Sequence, residues 1–201
     1  MRRALKACVF ALCCVPAALL VQGLFDGSVG PNPVEALNRG LGDWALRFLI
    51  ITLAIRPLAD LTGRRQFMAY RRMVGLFAFA YAILHVANYA VIDLQLDLAA
   101  FVKDVLKRNY ITVGMVNIML LVALAATSTK GMIKRLGGLR WRRLHMMIYA
   151  IAPLAVLHYF MMVHADFREP LLYGVIVGAL LAYRGAVAWR RRARQGAGAP
   201  A

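Results

Sequence analysis

Six long apolar stretches constrain this chain more than anything else in it. They run roughly over Ala4–Gln22, Trp44–Leu58, Met73–Ile92, Tyr110–Thr127, Leu144–Val163 and Leu171–Trp189. A helix needs about 20 mainly apolar residues to cross a bilayer, so each stretch reads as a span. Together they use more than half of the 201 residues, and 62% of the chain is hydrophobic. The remaining loops are too short for a separate catalytic domain. The expected fold is therefore all-α, a polytopic membrane bundle of six transmembrane helices. Within it, residues 1–29 form the first helix and the start of an outer loop, 30–189 the core, and 190–201 a disordered basic tail. Span two is the least secure, because Arg47 and Arg56 interrupt it. Both are expected to snorkel toward opposite faces, and Arg184 of span six toward the inner one.

A formal charge of +16 would suggest nucleic acid in a soluble protein. Its distribution excludes that reading. Seventeen of the 25 basic residues collect on the side of the N-terminus, in the clusters around Arg2, Arg64, Arg71, Lys130, Arg142 and Arg190. Eight of the nine acids lie on the opposite side, with Asp60 the exception. Basic loops stay in the cytoplasm, so both termini are expected to be cytoplasmic. Cys8, Cys13 and Cys14 all fall in the first span and read as apolar filler, with no C-x-x-C-H for covalent heme attachment. The Arg-Arg start resembles a secretory signal. No convincing cleavage site precedes Asp26, so the segment is expected to be retained.

Three of the four histidines sit in or at the rim of these spans, where a polar side chain is costly and by default functional. Span three runs outward from Met73 and puts His85 in its outer half. Span five also runs outward, with His145 at the inner rim and His158 in the outer half. Thirteen residues separate His145 from His158, about 20 Å along a helix, so one iron cannot take both. His85 and His158 share a depth on different spans, as a heme held between two imidazoles requires. The bland reading of His85 is a bond to Asn88 or Tyr89, a turn away. His145 reads equally as a ligand or as an interfacial anchor beside Trp141, Arg142 and Arg143. Arg72 stands 13 residues before His85, where it can hold a heme propionate, a flavin phosphate or a lipid headgroup. Tyr81 and Tyr89 flank His85 on its helix face, and read as packing or as contacts to a heme edge. His164 lies past the end of its span and is expected to be solvated.

Several stretches carry a resemblance. They are Gly30-Pro31-Asn32-Pro33-Val34-Glu35, Trp44-Ala45-Leu46-Arg47-Phe48-Leu49, Arg71-Arg72-Met73-Val74-Gly75-Leu76 and Tyr81-Ala82-Ile83-Leu84-His85. Further on come Tyr110-Ile111-Thr112-Val113-Gly114, Thr127-Ser128, Trp141-Arg142-Arg143-Leu144-His145, His158-Tyr159 and Ala165-Asp166. With these the chain resembles the MsrQ (YedZ) family, a branch of the ferric-reductase-like transmembrane proteins. The resemblance implies a b-type heme subunit in the bacterial inner membrane, with one or two hemes and His85, His145 and His158 as the heme-linked histidines. It implies electrons taken from the quinone pool or a cytoplasmic flavin reductase. They would pass to a periplasmic molybdenum-cofactor subunit that reduces methionine sulfoxide in damaged proteins. FMN is implied by the family alone, since the chain has no Gly-rich phosphate cradle.

Two departures matter. Arg72 stands where larger ferric reductases have a fourth histidine, which leaves the heme count open. His164 stands where the family carries lysine, so it inherits no role. The acidic outer loops around Asp26, Glu35, Asp93, Asp97 and Asp166 suit a docking partner, and the basic inner face suits a reductase, a flavin phosphate or anionic lipid. The chain would thus be an electron-transfer subunit rather than a catalytic one. The alternatives are a ferric- or oxygen-reducing cytochrome b fed by a separate reductase, and a heme-free bundle whose histidines relay protons or pack. No G-x-G-x-x-G unit is present to bind a nicotinamide.

Overall fold

A computed structural model describes residues 2–197, and these form nine α-helices without a strand. They are α1 (Arg2–Asp26), α2 (Pro33–Thr62), α3 (Arg71–Ala87), α4 (Leu98–Lys107), α5 (Asn109–Ala126), α6 (Lys130–Leu136), α7 (Gly138–His145), α8 (Ile148–Met162) and α9 (Arg168–Ala197). A 3-10 turn at Arg65–Ala69 precedes α3, and a π-helical segment at Asn88–Asp93 extends it. Five stretches are long and apolar enough to cross a membrane: Arg3–Asp26, Arg71–Asp93, Asn109–Ala126, Gly138–Met162 and Arg168–Gln195. The chain is thus an all-helical, multi-pass membrane protein. Apolar residues on the outside, such as Leu12, Leu19, Met119 and Val175, are as exposed as a lipid-facing surface demands.

Helix α2 is not among those five, yet it is the centre of the bundle. It buries Leu41, Leu46, Phe48, Leu49, Thr52, Leu53 and Ile55 against its neighbours. Its start is fixed by Asn32, whose side chain accepts from the Glu35 N–H, with Pro33 in the first turn. Gly63 ends it in a left-handed conformation at φ 69°. The Gly-Pro-Asn-Pro run is thus the entry to a helix. The two arginines that mask α2 from a hydropathy reading have partners within the protein. Arg47 Nε donates to the Tyr173 hydroxyl at 2.8 Å and its guanidinium lies 4.9 Å from the Trp44 ring centre. Arg56 pairs with Asp60 one turn on, at 2.8 Å.

Contacts between side chains give the helix directions. His85 meets Asn38 while Gly75 faces Thr52, so α2 and α3 are antiparallel. Tyr159 meets Tyr173 and Tyr149 meets Arg184, so α8 and α9 are antiparallel neighbours, as their short connection implied. Tyr110 and Ser128 of the α5 region meet His158 and His145, which makes α5 and α8 antiparallel as well.

Three expectations change. Arg47 and Arg184 do not simply snorkel. Arg184 donates to the Tyr149 hydroxyl and to the Leu53 carbonyl, both at 2.8 Å, tying α9 to α8 and α2. The loop between Asp93 and Asn109 carries a helix, α4, capped by Asp97. The basic segment from Arg190, expected to be disordered, continues α9 as a helix to Ala197, and 198–201 lie outside the described residues. For Tyr81 the packing reading holds. Its hydroxyl accepts from Ala17 N–H at 2.8 Å and donates to the Cys13 carbonyl at 2.9 Å, entering the α1 ladder beside Pro16.

Candidate functional site

Two of the three span histidines are brought together. The imidazole rings of His85 on α3 and His158 on α8 lie with centres 6.3 Å apart and planes at 83°. Neither is bonded to its own helix neighbours. His85 Nδ1 is 2.9 Å from the carbonyl oxygen of Asn38 on α2, and His158 Nδ1 is 2.6 Å from that of Tyr110 on α5. A carbonyl only accepts, so each Nδ1 must carry the proton and donate it. That fixes the tautomer and leaves each Nε2 with a free lone pair. The expected fallback for His85, a bond to Asn88 or Tyr89, does not occur. Asn88 donates instead to the Val34 carbonyl at 3.3 Å, and Tyr89 donates to Asp104.

Both rings are seated by the same device. A histidine that reaches a helical carbonyl must pass over the residue four positions later, whose N–H already points at that carbonyl. At both places this residue is glycine: Gly42 follows Asn38, and Gly114 follows Tyr110. A Cβ built on Gly42 would stand 3.2 Å from His85 Nδ1, and one on Gly114 would stand 2.9 Å from His158 Cε1. Any side chain there would displace the ring. The sequence offered no chemical signal for Asn38, Tyr110 or the two glycines, because a backbone carbonyl and a missing methyl belong to no residue motif. The only hint was Gly114 within an apolar run, since Gly42 falls before Trp44 in a segment that also holds Arg39, Gly40 and Asp43.

The pair passes a test of fit to heme iron. Two iron–imidazole bonds of about 2 Å, plus about 1.1 Å from each ring centre to its nitrogen, span about 6.3 Å. That matches the 6.3 Å between the ring centres, and each ring has an Nε2 lone pair to offer to iron. Among the described residues, no three of His, Cys, Asp or Glu converge on a point that could hold a metal ion. The pair therefore does not belong to a protein-only metal cage. The amide oxygens of Asn38 and Asn88 are buried without a partner, so this end of the bundle contains polar atoms that the protein itself does not satisfy.

His145 stands apart, at the other end of the bundle. Its ring stacks on Trp141 at 4.0 Å, and its Nδ1 is 3.0 Å from the Trp141 carbonyl. Its Nε2 is 3.4 Å from Ser128 Oγ. That hydroxyl has already given its one proton to the Leu124 carbonyl at 2.7 Å, so the Nε2 lone pair remains available. Arg72 reaches the same residue, donating to the Ser128 carbonyl at 3.3 Å, and Trp141 Nε1 donates to the Thr127 carbonyl at 2.9 Å. Arg72 and His145 thus meet at one corner, and no second imidazole faces His145 among the described residues. His164 is exposed.

Comparison with known proteins was made against this geometry. Residues 41–156 match the family described as the ferric reductase like transmembrane component. This range contains Gly42, His85, Gly114 and His145 and ends two residues before His158. The protein-methionine-sulfoxide reductase heme-binding subunit MsrQ of Rhodospirillum rubrum is 48% identical over 187 residues, covering 93% of this chain and 90% of that protein. The protein of the same name from Caulobacter vibrioides is 46% identical over 176 residues, covering 88% and 84%. The magnetosome protein MamZ of Magnetospirillum gryphiswaldense is 43% identical over 185 residues, which are 89% of this chain and 28% of that larger protein.

Proposed function

We propose, from the premise that this chain belongs to the ferric-reductase-like transmembrane family and within it to the MsrQ heme-binding subunits, that it is the membrane-embedded electron-transfer subunit of a protein-methionine-sulfoxide reductase system. The observation that carries this is the 6.3 Å imidazole pair. Heme bound there would supply a reversible one-electron couple. His85 and His158 would hold it through their Nε2 atoms. The Asn38 and Tyr110 carbonyls hold each ring's Nδ1 proton, which leaves both Nε2 atoms free to bind iron. Gly42 and Gly114 give the rings room, and the surrounding apolar helices exclude water.

The finer reading has six spans with both termini cytoplasmic, in the bacterial inner membrane. It is supported by α2, which is antiparallel to α3 and about 45 Å long at 30 residues. With α2 counted, the spans alternate in direction and the basic clusters share one side. The histidine pair then lies near the periplasmic face, which suits delivery to a periplasmic molybdenum-cofactor catalytic subunit. Exposed Glu35, Asp93, Asp97 and Asp166 are available to orient that partner. Electrons enter from quinone or from a flavin reductase. The Arg72–Ser128–His145 corner is the candidate inner site, for FMN or for a second heme bound through His145 alone.

The test is a dithionite-reduced minus oxidised spectrum of purified chain, with heme counted per polypeptide. Wild type is expected to give b-type bands. His85→Ala and His158→Ala each abolish the bis-imidazole signal while the chain still inserts in the membrane, and His145→Ala retains it. Unchanged spectra in both of the first two variants would remove the ligand assignment.

A further inference from the structure

Helix α4 follows the π-helical end of α3 through a turn in which Gln95 and Leu96 are both left-handed, at φ 49° and 64°. It is the most one-sided helix in the chain. Leu98, Val102 and Leu106 are 75%, 54% and 77% exposed, at positions i, i+4 and i+8. At 100° per residue they fall within about 80° of arc. Lys103 and Lys107, both exposed, run along one border of that stripe. The other border is held by the bundle: Phe101 lies 6.2 Å from the Tyr89 ring, and Asp104 accepts from the Tyr89 hydroxyl. Thr112 Oγ1 donates to the Val105 carbonyl at 2.5 Å, which fixes the far end to α5.

An apolar stripe of this kind in water would be a liability. Its position says what covers it. One flanking span ends at Asp93 and the next begins at Asn109. Four residues thus separate the first of these spans from α4 and one separates α4 from the next, too short a tether at either end to lift the helix far from the membrane surface. Its flank against Tyr89 stops it from rolling.

We propose that α4 is a membrane-surface helix, seated in the leaflet nearest the His85–His158 pair. Leu98, Val102 and Leu106 enter the boundary between headgroups and acyl chains, and Lys103 and Lys107 lie at the phospholipid phosphates. Its occupant is the bilayer itself rather than a protein partner or a second copy. The inference rests on the membrane-spanning reading, which the control below tests separately.

The experiment uses the heme-loaded full chain in phospholipid vesicles, with the native cysteines replaced and single nitroxide labels at Val102, Leu106, Lys103, Asp166 and, as a lipid-facing control, Val116 of α5. Labels at Val102 and Leu106 are expected to be about tenfold less accessible to a water-soluble nickel complex than the label at Asp166, and relaxed mainly by oxygen. The Lys103 label falls between them. Nickel accessibility at Val102 and Leu106 equal to that at Asp166, with Val116 still protected, overturns the proposal and assigns the stripe to a protein or to water. Loss of protection at Val116 overturns the membrane reading instead. Wild-type chain with a photoactivatable phospholipid gives a readout free of substitutions. Crosslinks within residues 98–107 support the proposal, and crosslinks on α5 alone reject it.

Discussion

At Gly114 a built Cβ would lie 2.9 Å from His158 Cε1 and 3.0 Å from Nδ1, well inside the distance at which carbon and nitrogen atoms pack. Tyr110 and α5 are backbone and cannot yield cheaply, so the ring must move and its bond to the Tyr110 carbonyl must lengthen. Gly114→Ala is expected to lower heme content severalfold and to shift the low-spin resonance of what remains. Gly42→Ala, with its contacts at 3.2 and 3.3 Å, is expected to do less. Heme per chain and electron paramagnetic resonance of the two variants check this order. The histidine pair was legible in the sequence because depth in a membrane follows from counting along a helix. The carbonyl-and-glycine seat was not, since it is a relation between two helices whose packing no single periodicity encodes.

At the scale of elements, the α1–α3 contact depends on one hydroxyl. Tyr81 is 2% exposed and takes the place of a backbone bond between Ala17 and Cys13 in α1. In Tyr81→Phe the Ala17 N–H can return to the Cys13 carbonyl, so the loss is about 1 kcal/mol rather than that of two orphaned groups. A thermal melt in detergent should show a lower midpoint with the heme spectrum unchanged. The symmetrical stripe expected of Tyr81 and Tyr89 around His85 dissolves for two separate reasons. Tyr81 is claimed by α1. The π-helical turn at Asn88–Asp93 changes the residue spacing, which carries Tyr89 off the face of His85 and onto Asp104. Helix α4 was hidden because ten residues between charged turns look like a loop until their spacing is read as a stripe.

For the whole molecule, the open question of five spans or six turns on α2. Six spans put the C-terminus on the cytoplasmic side. A fluorescent protein fused after Ala201 is then expected to fluoresce, and alkaline phosphatase fused there to be inactive. The reverse pattern would mean that α2 does not cross. Composition made the all-helical membrane class plain and left α2 the least secure span for a physical reason: a helix at the centre of a bundle can carry polar groups, provided its neighbours hydrogen-bond to them. Arg47 is satisfied by Tyr173, and the Leu53 carbonyl by Arg184. Both partners lie on α9, the last helix made. During synthesis, α2 therefore emerges long before Tyr173 and Arg184, the partners that complete its hydrogen bonds. The packing of α2 is thus finished only after the last helix has been made, and a chain truncated before α9 leaves Arg47 and the Leu53 carbonyl without these partners.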